Sequence, residues 1–275
     1  MTGFSADTKY IGKNYLWLEE TDSTNSMMRR LLRDGTTIES RQEYGAVIEG
    51  TPREGMMIIS DYQSLGRGRS GKNWTSAPGD GIALSLLLMP ESMGGGTSCI
   101  TLVAALSVAA TIEKTSGLKP QIKWPNDILL NEKKVCGILT ELDTTQGKNS
   151  IIVGVGINSN QQEFPAEISE TATSIFLETG TPSDRESAVK YFSEYFEKYY
   201  EIFLKTSDMS LLKEEYNSLL VNKGRVVKVF DPKENIMGIA EGIDDEGRLI
   251  VKTDTGITHH IYAGEVSVRG IYGYV

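Results

Sequence analysis

Short apolar runs separated by polar turns predict the strands of a β-sheet in the first part of the chain. These runs are Tyr44–Ile48, Met57–Ser60, Ile82–Leu88, Gln121–Trp124, Ile128–Leu130, Val135–Glu141 and Ile151–Val155. Pro125 interrupts the chain after the fourth run, because proline cannot donate a hydrogen bond to a sheet ladder. The turn at Asn131–Lys133 then joins the next two runs into a predicted hairpin.

Apolar residues at helical spacing predict helices between and after these strands. The segment TDSTN at 21–25 offers three good N-cap residues and precedes an amphipathic pattern that stops at Asp34-Gly35. Residues Ser98–Glu113 are apolar on nearly every face, which is typical of a helix buried against a sheet. Two further helices, Asp184–Lys205 and Ser210–Leu220, carry tyrosine and phenylalanine on the face that we expect to pack in the core.

From Asn222 onward the pattern changes to short alternating strands separated by turns, which predicts a small barrel. These strands are Arg225–Phe230, Ile236–Ile243, Leu249–Lys252, His259–Tyr262 and Val266–Arg269. We therefore divide the chain into a larger domain, residues 1–221, and a small C-terminal domain, residues 222–275. The predicted fold class is α+β, with a mixed β-sheet, helices packed on it and a second all-β domain.

Composition and charge exclude several classes of protein. Of the 275 residues, 39% are hydrophobic and 24% charged, and the net charge is −9, which disfavours general binding to duplex nucleic acid. No apolar run approaches the roughly 20 residues that span a bilayer. The N-terminus shows no secretory signal, so we expect a cytoplasmic protein without a membrane partner.

The cysteines and histidines do not indicate a metal site. Cys99 and Cys136 lie among apolar neighbours and are interpreted as reduced core residues. His259 and His260 are adjacent to each other and stand apart from other ligand types, which disfavours a zinc site.

A glycine-rich basic loop between two predicted strands is the first candidate for chemistry. Between residues 63 and 77 it carries Arg67, Arg69 and Lys72 and no acidic residue, which reverses the charge of the chain as a whole. Such a loop can hold phosphate or carboxylate oxygens with backbone N–H groups and guanidinium forks. The alternative is a flexible surface linker. Trp74 argues against a linker, because an indole that covers nothing is costly to expose.

The segment KWPND, residues 123–127, is the second candidate. With the following hairpin it brings Lys123, Asn126, Asp127 and Lys134 together at the ends of apolar strands. Ordinary turn chemistry also explains Asn126 and Asp127. It does not explain Lys123, whose charge at the end of an apolar strand is costly unless it is paired. The polar start of the first helix is open to both interpretations, as a capped helix or as the rim of a ligand site.

Four blocks together resemble the biotin protein ligases. They are TDSTN (21–25), YQSLGRGRSGKNW (62–74), KWPND followed by KKVCGIL (123–139), and VGVGIN (153–158). Each block is weak alone, and their joint order makes the resemblance specific. The resemblance covers nearly the whole chain. It implies a catalytic domain like that of class II aminoacyl-tRNA synthetases, with a mixed β-sheet and packed helices, followed by an SH3-like β-barrel.

The resemblance also implies roles for matching residues. Residues expected to bind biotin are Ser23, Thr24, Gln63, Arg67, Lys134 and Gly137. Residues expected to bind ATP or the adenylate are Arg67, Arg69, Trp74, Lys123, Asn126 and Asn158. Lys123 and Arg67 are the expected catalytic groups, and Asp127 is a candidate contributor to a Mg²⁺ site on the ATP phosphates. The basic loop departs from the family pattern at Lys72, where an arginine is common, so a bidentate phosphate contact is not expected there.

The implied reaction has two steps and uses ATP, Mg²⁺ and biotin. Biotin is activated as biotinyl-5′-AMP, and the biotinyl group then passes to a lysine of a biotin carboxyl carrier domain. The catalytic domain begins near the N-terminus, so we expect no specific DNA binding, and a homodimer is one of the expected assemblies. Two alternatives stay open, a lipoate–protein ligase of the same fold and a non-catalytic sensor of biotin or the adenylate.

Overall fold

The structure is a computed structural model that describes residues 4–34, 51–90, 96–144, 147, 149–230, 235–263 and 267–270. Its helices are α1 (Thr24–Asp34), α2 (Gly96–Ser116), α3 (Ile175–Thr179), α4 (Arg185–Phe203) and α5 (Lys213–Leu219). The strands of the larger sheet are β1 (Tyr15–Thr21), β2 (Met57–Gln63), β3 (Gly81–Leu88), β4 (Gln121–Lys123), β5 (Asp127–Leu130), β6 (Lys133–Asp143) and β7 (Ser150–Asn158). Those of the smaller sheet are β8 (Val226–Phe230), β9 (Asn235–Ile243), β10 (Leu249–Lys252), β11 (Thr258–Ile261) and β12 (Ser267–Gly270).

The larger sheet is mixed and has the strand order β1-β2-β3-β7-β6-β5-β4. Only the pair β1–β2 is parallel in the described ladders, and the other neighbours are antiparallel. The longest ladders join β7 to β3 and to β6, so β7 lies at the centre and is buried along its whole length. Strands buried on both faces read as continuous apolar runs, which is why β3 and β7 could be recognised in the sequence.

Helices cover both faces of this sheet because neighbouring strand residues point to opposite sides. Met28 and Leu31 of α1 pack against Ile58 and Ile152 on one face. On the other face α2 lies between the sheet and α4, and its side chains belong to the main core. Burying a side chain of this size contributes roughly 1.5–3 kcal/mol, so the apolar stripe of α1 is sufficient to hold it on the sheet.

The smaller sheet is antiparallel, with the order β11-β10-β9-β8-β12. It joins the larger part of the protein through the turn that precedes β10. The indole N–H of Trp124 donates to the carbonyl of Gly247 at 3.1 Å, and the backbone N–H of Met209 donates to the carbonyl of Asp245 at 2.7 Å. One cluster of buried hydrophobic side chains includes residues from both sheets. The two sheets therefore share a continuous core.

The predicted architecture is confirmed, and most predicted elements are present with ends shifted by a few residues. Two elements were missed. β1 carries the mixed sequence YLWLEET, whose exposed acidic half hides its strand character. α3 has only five residues, too few to show a helical period. The predicted strand Tyr44–Ile48 lies outside the described residues.

The cysteine interpretation is confirmed, since Cys99 and Cys136 are both fully buried. Burial raises the pKa of the Cys99 thiol to about 12 and also raises that of Cys136, so neither is a thiolate at neutral pH.

The expectation about apolar runs was wrong for α2. Its segment Ser98–Ser116 has the length and composition that crossing a membrane requires. However, 67% of its apolar window is buried inside the protein, and the helix packs between the sheet and α4. This is the environment of a core helix.

The N-cap of α4 gives a test of the fold. Asp184 accepts hydrogen bonds from the backbone N–H groups of Glu186 and Ser187 and from the Ser187 hydroxyl. We expect Asp184→Ala to lower the free energy of unfolding by about 1 kcal/mol, the usual value of such a cap, while Asp184→Asn keeps most of it. Urea denaturation at neutral pH measures both. Equal stability of all three proteins would contradict the capping role.

The same cap predicts a dependence on pH. The hydrogen bond from the Ser187 hydroxyl, followed by those from the two backbone N–H groups, holds the pKa of Asp184 below its ordinary value. A carboxyl whose pKa is lowered by folding stabilises the protein above its unfolded pKa, and this contribution is lost as the pH falls through the folded value. The difference between the wild-type protein and Asp184→Ala should therefore shrink on acidification. A difference that grows in acid would contradict it.

Candidate active site

The glycine-rich loop is folded as a small hairpin between β2 and β3. Its arms are joined by the bridge between Arg67 and Asn73, and the N–H of Trp74 donates to the carbonyl of Gly66 at 2.9 Å. The N–H of Gly68 donates to the carbonyl of Lys72 at 2.7 Å, and a short 3-10 turn forms the tip. These backbone bonds give the loop a defined shape.

The first turn of α1 forms a polar pocket wall with β2 and β3. The backbone N–H of Thr24 donates to Oε1 of Gln63 at 2.8 Å, and the Thr24 hydroxyl lies 3.1 Å from the same oxygen. Below them the buried hydroxyl of Ser85 lies 2.7 Å from Oγ1 of Thr24 and donates to Oδ1 of Asn25. Ser23 is buried beside these groups and lines the same pocket. The helix start, open to two interpretations in the sequence, is part of a cavity.

Two facing glycines allow the indole of Trp74 to lie against the central sheet. Gly137 of β6 and Gly156 of β7 are partners in the ladder. A Cβ on Gly156 would come within 2.4 Å of the indole, and one on Gly137 within 3.0 Å. Any larger residue at Gly156 would displace the ring. The pair therefore forms a floor for Trp74, and we call it the glycine floor.

A chain of polar contacts continues from the indole along the KWPND segment. Nζ of Lys134 lies 5.6 Å from the Trp74 ring centroid and 2.7 Å from Oδ1 of Asp127. The same carboxylate oxygen accepts from Nδ2 of Asn126 at 3.1 Å. Oδ1 of Asn126 accepts from Nη1 of Arg69 at 2.7 Å. The basic loop and the KWPND segment, far apart in the sequence, are thus in direct contact.

Burial alters the electrostatics of Arg69. It lowers the pKa of the guanidinium below the ordinary value, although the nearby charge of Asp127 acts in the opposite direction. An arginine stays charged under either influence, so Arg69 is a desolvated cation. Desolvation makes it a stronger partner for an anionic ligand than a cation in water.

Two cavities meet at the basic loop. The smaller, about 50 Å³, is lined by the start of α1, Gln63, the glycine floor and Trp74. The larger, about 800 Å³, is lined by the outer part of the loop, by Ser98 and Thr101 of α2 and by Ala263 of the smaller sheet's domain. Arg67, Gly68 and Arg69 line both cavities. The smaller cavity combines the neutral hydrogen-bonding groups of Ser23, Thr24 and Gln63 with Lys134, whereas the larger carries Lys72 and Glu141, and the arginine pair is common to both.

Most of the residues predicted for the site come together in this way. Those that line one or both cavities are Ser23, Thr24, Gln63, Arg67, Arg69, Trp74, Asn126, Lys134 and Gly137. Lys123 and Asn158 are buried and lie outside the lining of both cavities. The side-chain amide of Asn158 donates to the carbonyl of Thr173 at 3.0 Å. Asp127 contacts Lys134 and Asn126 and is outside the lining of both cavities.

The sequence analysis missed three polar residues of the site, Asn25, Ser85 and Glu141. Glu141 lies in the larger cavity, where its carboxylate accepts from Asn25 at 2.7 Å and from Arg67 at 3.3 Å. A signal existed for Ser85, which is a polar residue inside an apolar strand. Asn25 belonged to a motif that was interpreted through its neighbours. Glu141 carried no signal, because it stands at a strand end where charges are common.

Comparison with known proteins identifies the family of the chain. The model of the Biotin/lipoate A/B protein ligase family matches residues 35–158, and that of the Biotin protein ligase C terminal domain matches residues 224–269. The chain is 33% identical over 268 residues to the Bifunctional ligase/repressor BirA of Bacillus spizizenii, an alignment that covers 96% of this chain and 77% of that protein. The chain belongs to the biotin protein ligase family. The family predicted from the four sequence blocks is thereby confirmed.

Other biotin protein ligases resemble the chain in sequence and in structure. The Biotin--[acetyl-CoA-carboxylase] ligase of Mycobacterium tuberculosis is 29% identical over 223 residues, which are 79% of this chain and 80% of that protein. The solved structure of biotin protein ligase from Aquifex aeolicus in complex with biotin and ATP superposes with a TM-score of 0.77 at 32% identity. It covers 94% of this chain and 99% of that chain, so the biotin protein ligase fold extends through both sheets.

The glycine floor gives a test of the geometry in this member of the biotin protein ligase family. Gly156→Ala should move the indole of Trp74 off the sheet and into water, because the added methyl group and the ring cannot both fit. We expect the tryptophan emission of the folded protein to shift to longer wavelength. Trp17 and Trp124 are only 2% exposed and should contribute no shift.

Gly68→Ala serves as the matched control for this prediction. It adds the same methyl group to the loop, where the nearest atom lies 3.4 Å away, so the emission should stay as in the wild type. An unchanged spectrum for folded Gly156→Ala would show that the ring does not rest on the glycine floor.

Proposed function

We propose that this protein activates biotin with ATP and transfers the biotinyl group to a lysine of a carrier domain. In the first step the biotin carboxylate attacks the α-phosphorus of ATP, giving biotinyl-5′-AMP and pyrophosphate. In the second the lysine amine attacks the acyl carbon, loses a proton and displaces AMP. The observation that carries this proposal is the junction of two cavities of different chemistry at Arg67 and Arg69.

The smaller cavity suits the ureido ring of biotin, which is neutral and needs both hydrogen-bond donors and acceptors. Ser23, Thr24 and Gln63 present such groups in one cluster. Its volume of about 50 Å³ is enough for water but too small for a bicyclic ligand. We propose that the indole of Trp74 leaves the glycine floor as biotin enters and then covers the adenylate, while Lys134 contacts the carboxylate side.

The larger cavity suits the nucleotide. Arg67 and Arg69 provide guanidinium groups where the biotin carboxylate and the α-phosphate must meet. Two anions that react with each other repel, so fixed cations at this point favour both their approach and the charge of the transition state. We propose that Asn126 and Asn158 help to enclose the adenylate, and that Lys123 approaches the phosphates from its buried position on β4.

A Mg²⁺ ion on the ATP phosphates is part of the proposal. Within the described ranges, no group of three or more histidine, cysteine, aspartate or glutamate side chains could hold a metal ion. Asp127 is paired with Lys134, so it fits as a single outer contributor and not as the centre of a protein cage. This agrees with magnesium chemistry, in which water and phosphate oxygens provide most ligands. The ion would neutralise phosphate charge.

The acceptor and the cellular setting follow from the same reaction. We propose that the acceptor is the biotin carboxyl carrier domain of a biotin-dependent carboxylase, as the names of relatives such as Biotin--[acetyl-CoA-carboxylase] ligase suggest. We propose a cytoplasmic enzyme whose catalytic domain gives way to the C-terminal domain near residue 221. A homodimer and the lack of specific DNA binding stay predictions.

Mass spectrometry of a carrier domain tests the function directly. The purified protein is incubated with the carrier, biotin, ATP and Mg²⁺, and the carrier should gain one biotinyl group. The gain should vanish without ATP and in a carrier whose acceptor lysine is replaced by arginine. Labelling with lipoate in place of biotin would favour the lipoate ligase, and pyrophosphate release without any transfer would contradict the second step.

The role of Lys123 is tested by removing its charge. Lys123→Ala should slow adenylate formation by roughly 10²–10³, the scale for loss of one preorganised group in the transition state. Lys123→Gln should recover little of this, because a neutral amide keeps a hydrogen bond but not the charge. Pyrophosphate release measures both variants, with circular dichroism to verify folding. A folded Lys123→Ala protein with near-wild-type adenylation would refute the assignment.

The assignment of Thr24 to the ureido ring predicts different effects on the affinities for biotin and for ATP. Thr24→Val replaces the hydroxyl at similar volume and leaves Gln63 and Ser85 without this partner, which costs about 1–3 kcal/mol. We expect weaker biotin affinity and little change in ATP affinity, both measured by calorimetry. Thr101→Val is the control for biotin affinity, which should stay as in the wild type because Thr101 lines only the larger cavity. Equal losses for biotin and ATP in Thr24→Val would mean that Thr24 only holds the start of α1.

A further inference from the structure

The carboxylate of Glu141 makes three side-chain contacts next to the junction of the two cavities. Its Oε2 accepts from Nδ2 of Asn25 at 2.7 Å and from Nη2 of Arg67 at 3.3 Å. Its Oε1 pairs with Nη2 of Arg29 at 2.9 Å. The Glu141 side chain is only 18% exposed, so these contacts are formed in partial isolation from water. The residue faces the larger cavity but has no role in the reaction described above.

One of these contacts leads to the smaller cavity. Asn25 donates to Glu141 through its Nδ2. The Oδ1 of the same Asn25 accepts from the hydroxyl of Ser85. The Ser85 hydroxyl in turn lies 2.7 Å from Oγ1 of Thr24, which contacts Gln63. A continuous series of hydrogen bonds therefore connects Glu141 to the groups proposed for the ureido ring. Each member constrains the orientation of the next.

The other contact leads to the junction. Arg67 lines both cavities, and its side chain is 42% exposed, so its position is not determined by packing alone. A long, half-exposed arginine loses rotamer freedom when it is held in one geometry. Glu141 provides that restraint from a strand whose backbone is paired with Ile152 of β7. Arg29 shares the carboxylate, so Glu141 keeps a compensating cation when Arg67 turns to an anionic ligand.

We propose that Glu141 is a positioning residue that aligns the two halves of the reaction. It acts through Arg67 at the phosphate end and through Asn25 at the biotin end, and so couples occupation of one cavity to the geometry of the other. This rests on the proposed biotin-activating function. It adds that the alignment of carboxylate and α-phosphate depends on a side chain outside the four sequence blocks of the family.

Two substitutions of Glu141 separate its contact with Arg67 from its contact with Asn25. In Glu141→Gln the carbonyl oxygen can still accept from Asn25, but the charge that holds Arg67 is lost. We expect kcat of biotin-dependent pyrophosphate release to fall about tenfold, the middle of the range for a coupled charged contact. The KM for biotin should change by less than about twofold, since the binding contacts remain. Glu141→Ala also removes the acceptor for Asn25 and should raise the KM for biotin as well.

Asp143→Asn is the matched control. Asp143 lies two positions further along the same strand and pairs with the same Arg29, at 3.6 Å. A general loss of negative charge around Arg29 would lower kcat in this variant too, whereas we expect wild-type kinetics. A second check uses Arg67→Ala, which should itself be slow. Adding Glu141→Gln to it should cause no further loss of kcat if Glu141 acts through Arg67.

Thermal melting of every variant separates positioning from folding. The proposal is supported by a lower kcat in Glu141→Gln at a temperature where it is fully folded, with the biotin KM retained. It is overturned by unchanged kinetics, by a raised kcat, by an equal effect of Asp143→Asn, or by full additivity with Arg67→Ala. Wild-type protein that releases no pyrophosphate with biotin and ATP would overturn the proposed function itself. Active wild-type protein with normal Glu141→Gln would overturn only the positioning role.

Discussion

The close approach of an indole ring to the backbone of the central sheet determines the shape of the site. It requires glycine at position 156, where a Cβ would overlap the ring, and it is eased by Gly137 on the neighbouring strand, where a Cβ would be a tight contact. With Trp74 on this floor, the loop that carries it lies across the sheet and brings Arg67 and Arg69 to the boundary between the cavities. The wall nearest to Trp74 is completed by Lys134, which is anchored by Asp127.

The charges of the site are held in defined partnerships. Arg67 contacts Glu141, Arg69 contacts Asn126, and Lys134 contacts Asp127. In a protein of net charge −9 these pairs orient the cations and prevent them from repelling one another. The Arg67–Glu141 pair is partly exposed and therefore weak, so an anionic ligand can replace Glu141 at small cost. The cations of the site are thereby oriented and still able to bind phosphate.

Much of the fold could be predicted from the sequence because the central strands and α2 are apolar along their whole length. β1 could not, since its exposed acidic half resembles a loop. Ser23, Thr24 and Gln63 were recognised through sequence blocks, and the structure places them around one pocket. Asn25, Ser85 and Glu141 depend on contacts between residues 60 to 116 positions apart, which no local pattern records. Lys123 was singled out as a charge in an apolar strand, and the structure buries it outside the lining of both cavities.

The contact between Trp124 and the turn before β10 has a consequence for how the protein unfolds. The indole joins the segment that carries Asn126 and Asp127 to the carbonyl of Gly247, and buried side chains of both sheets form one cluster. A shared core of this kind disfavours a state in which one sheet is folded and the other is not, because that state exposes the common apolar side chains to water. Heat should therefore disrupt both sheets in a single cooperative transition. Damage to the small C-terminal sheet would then lower the population of intact active sites, even though most of the site lies on the other sheet.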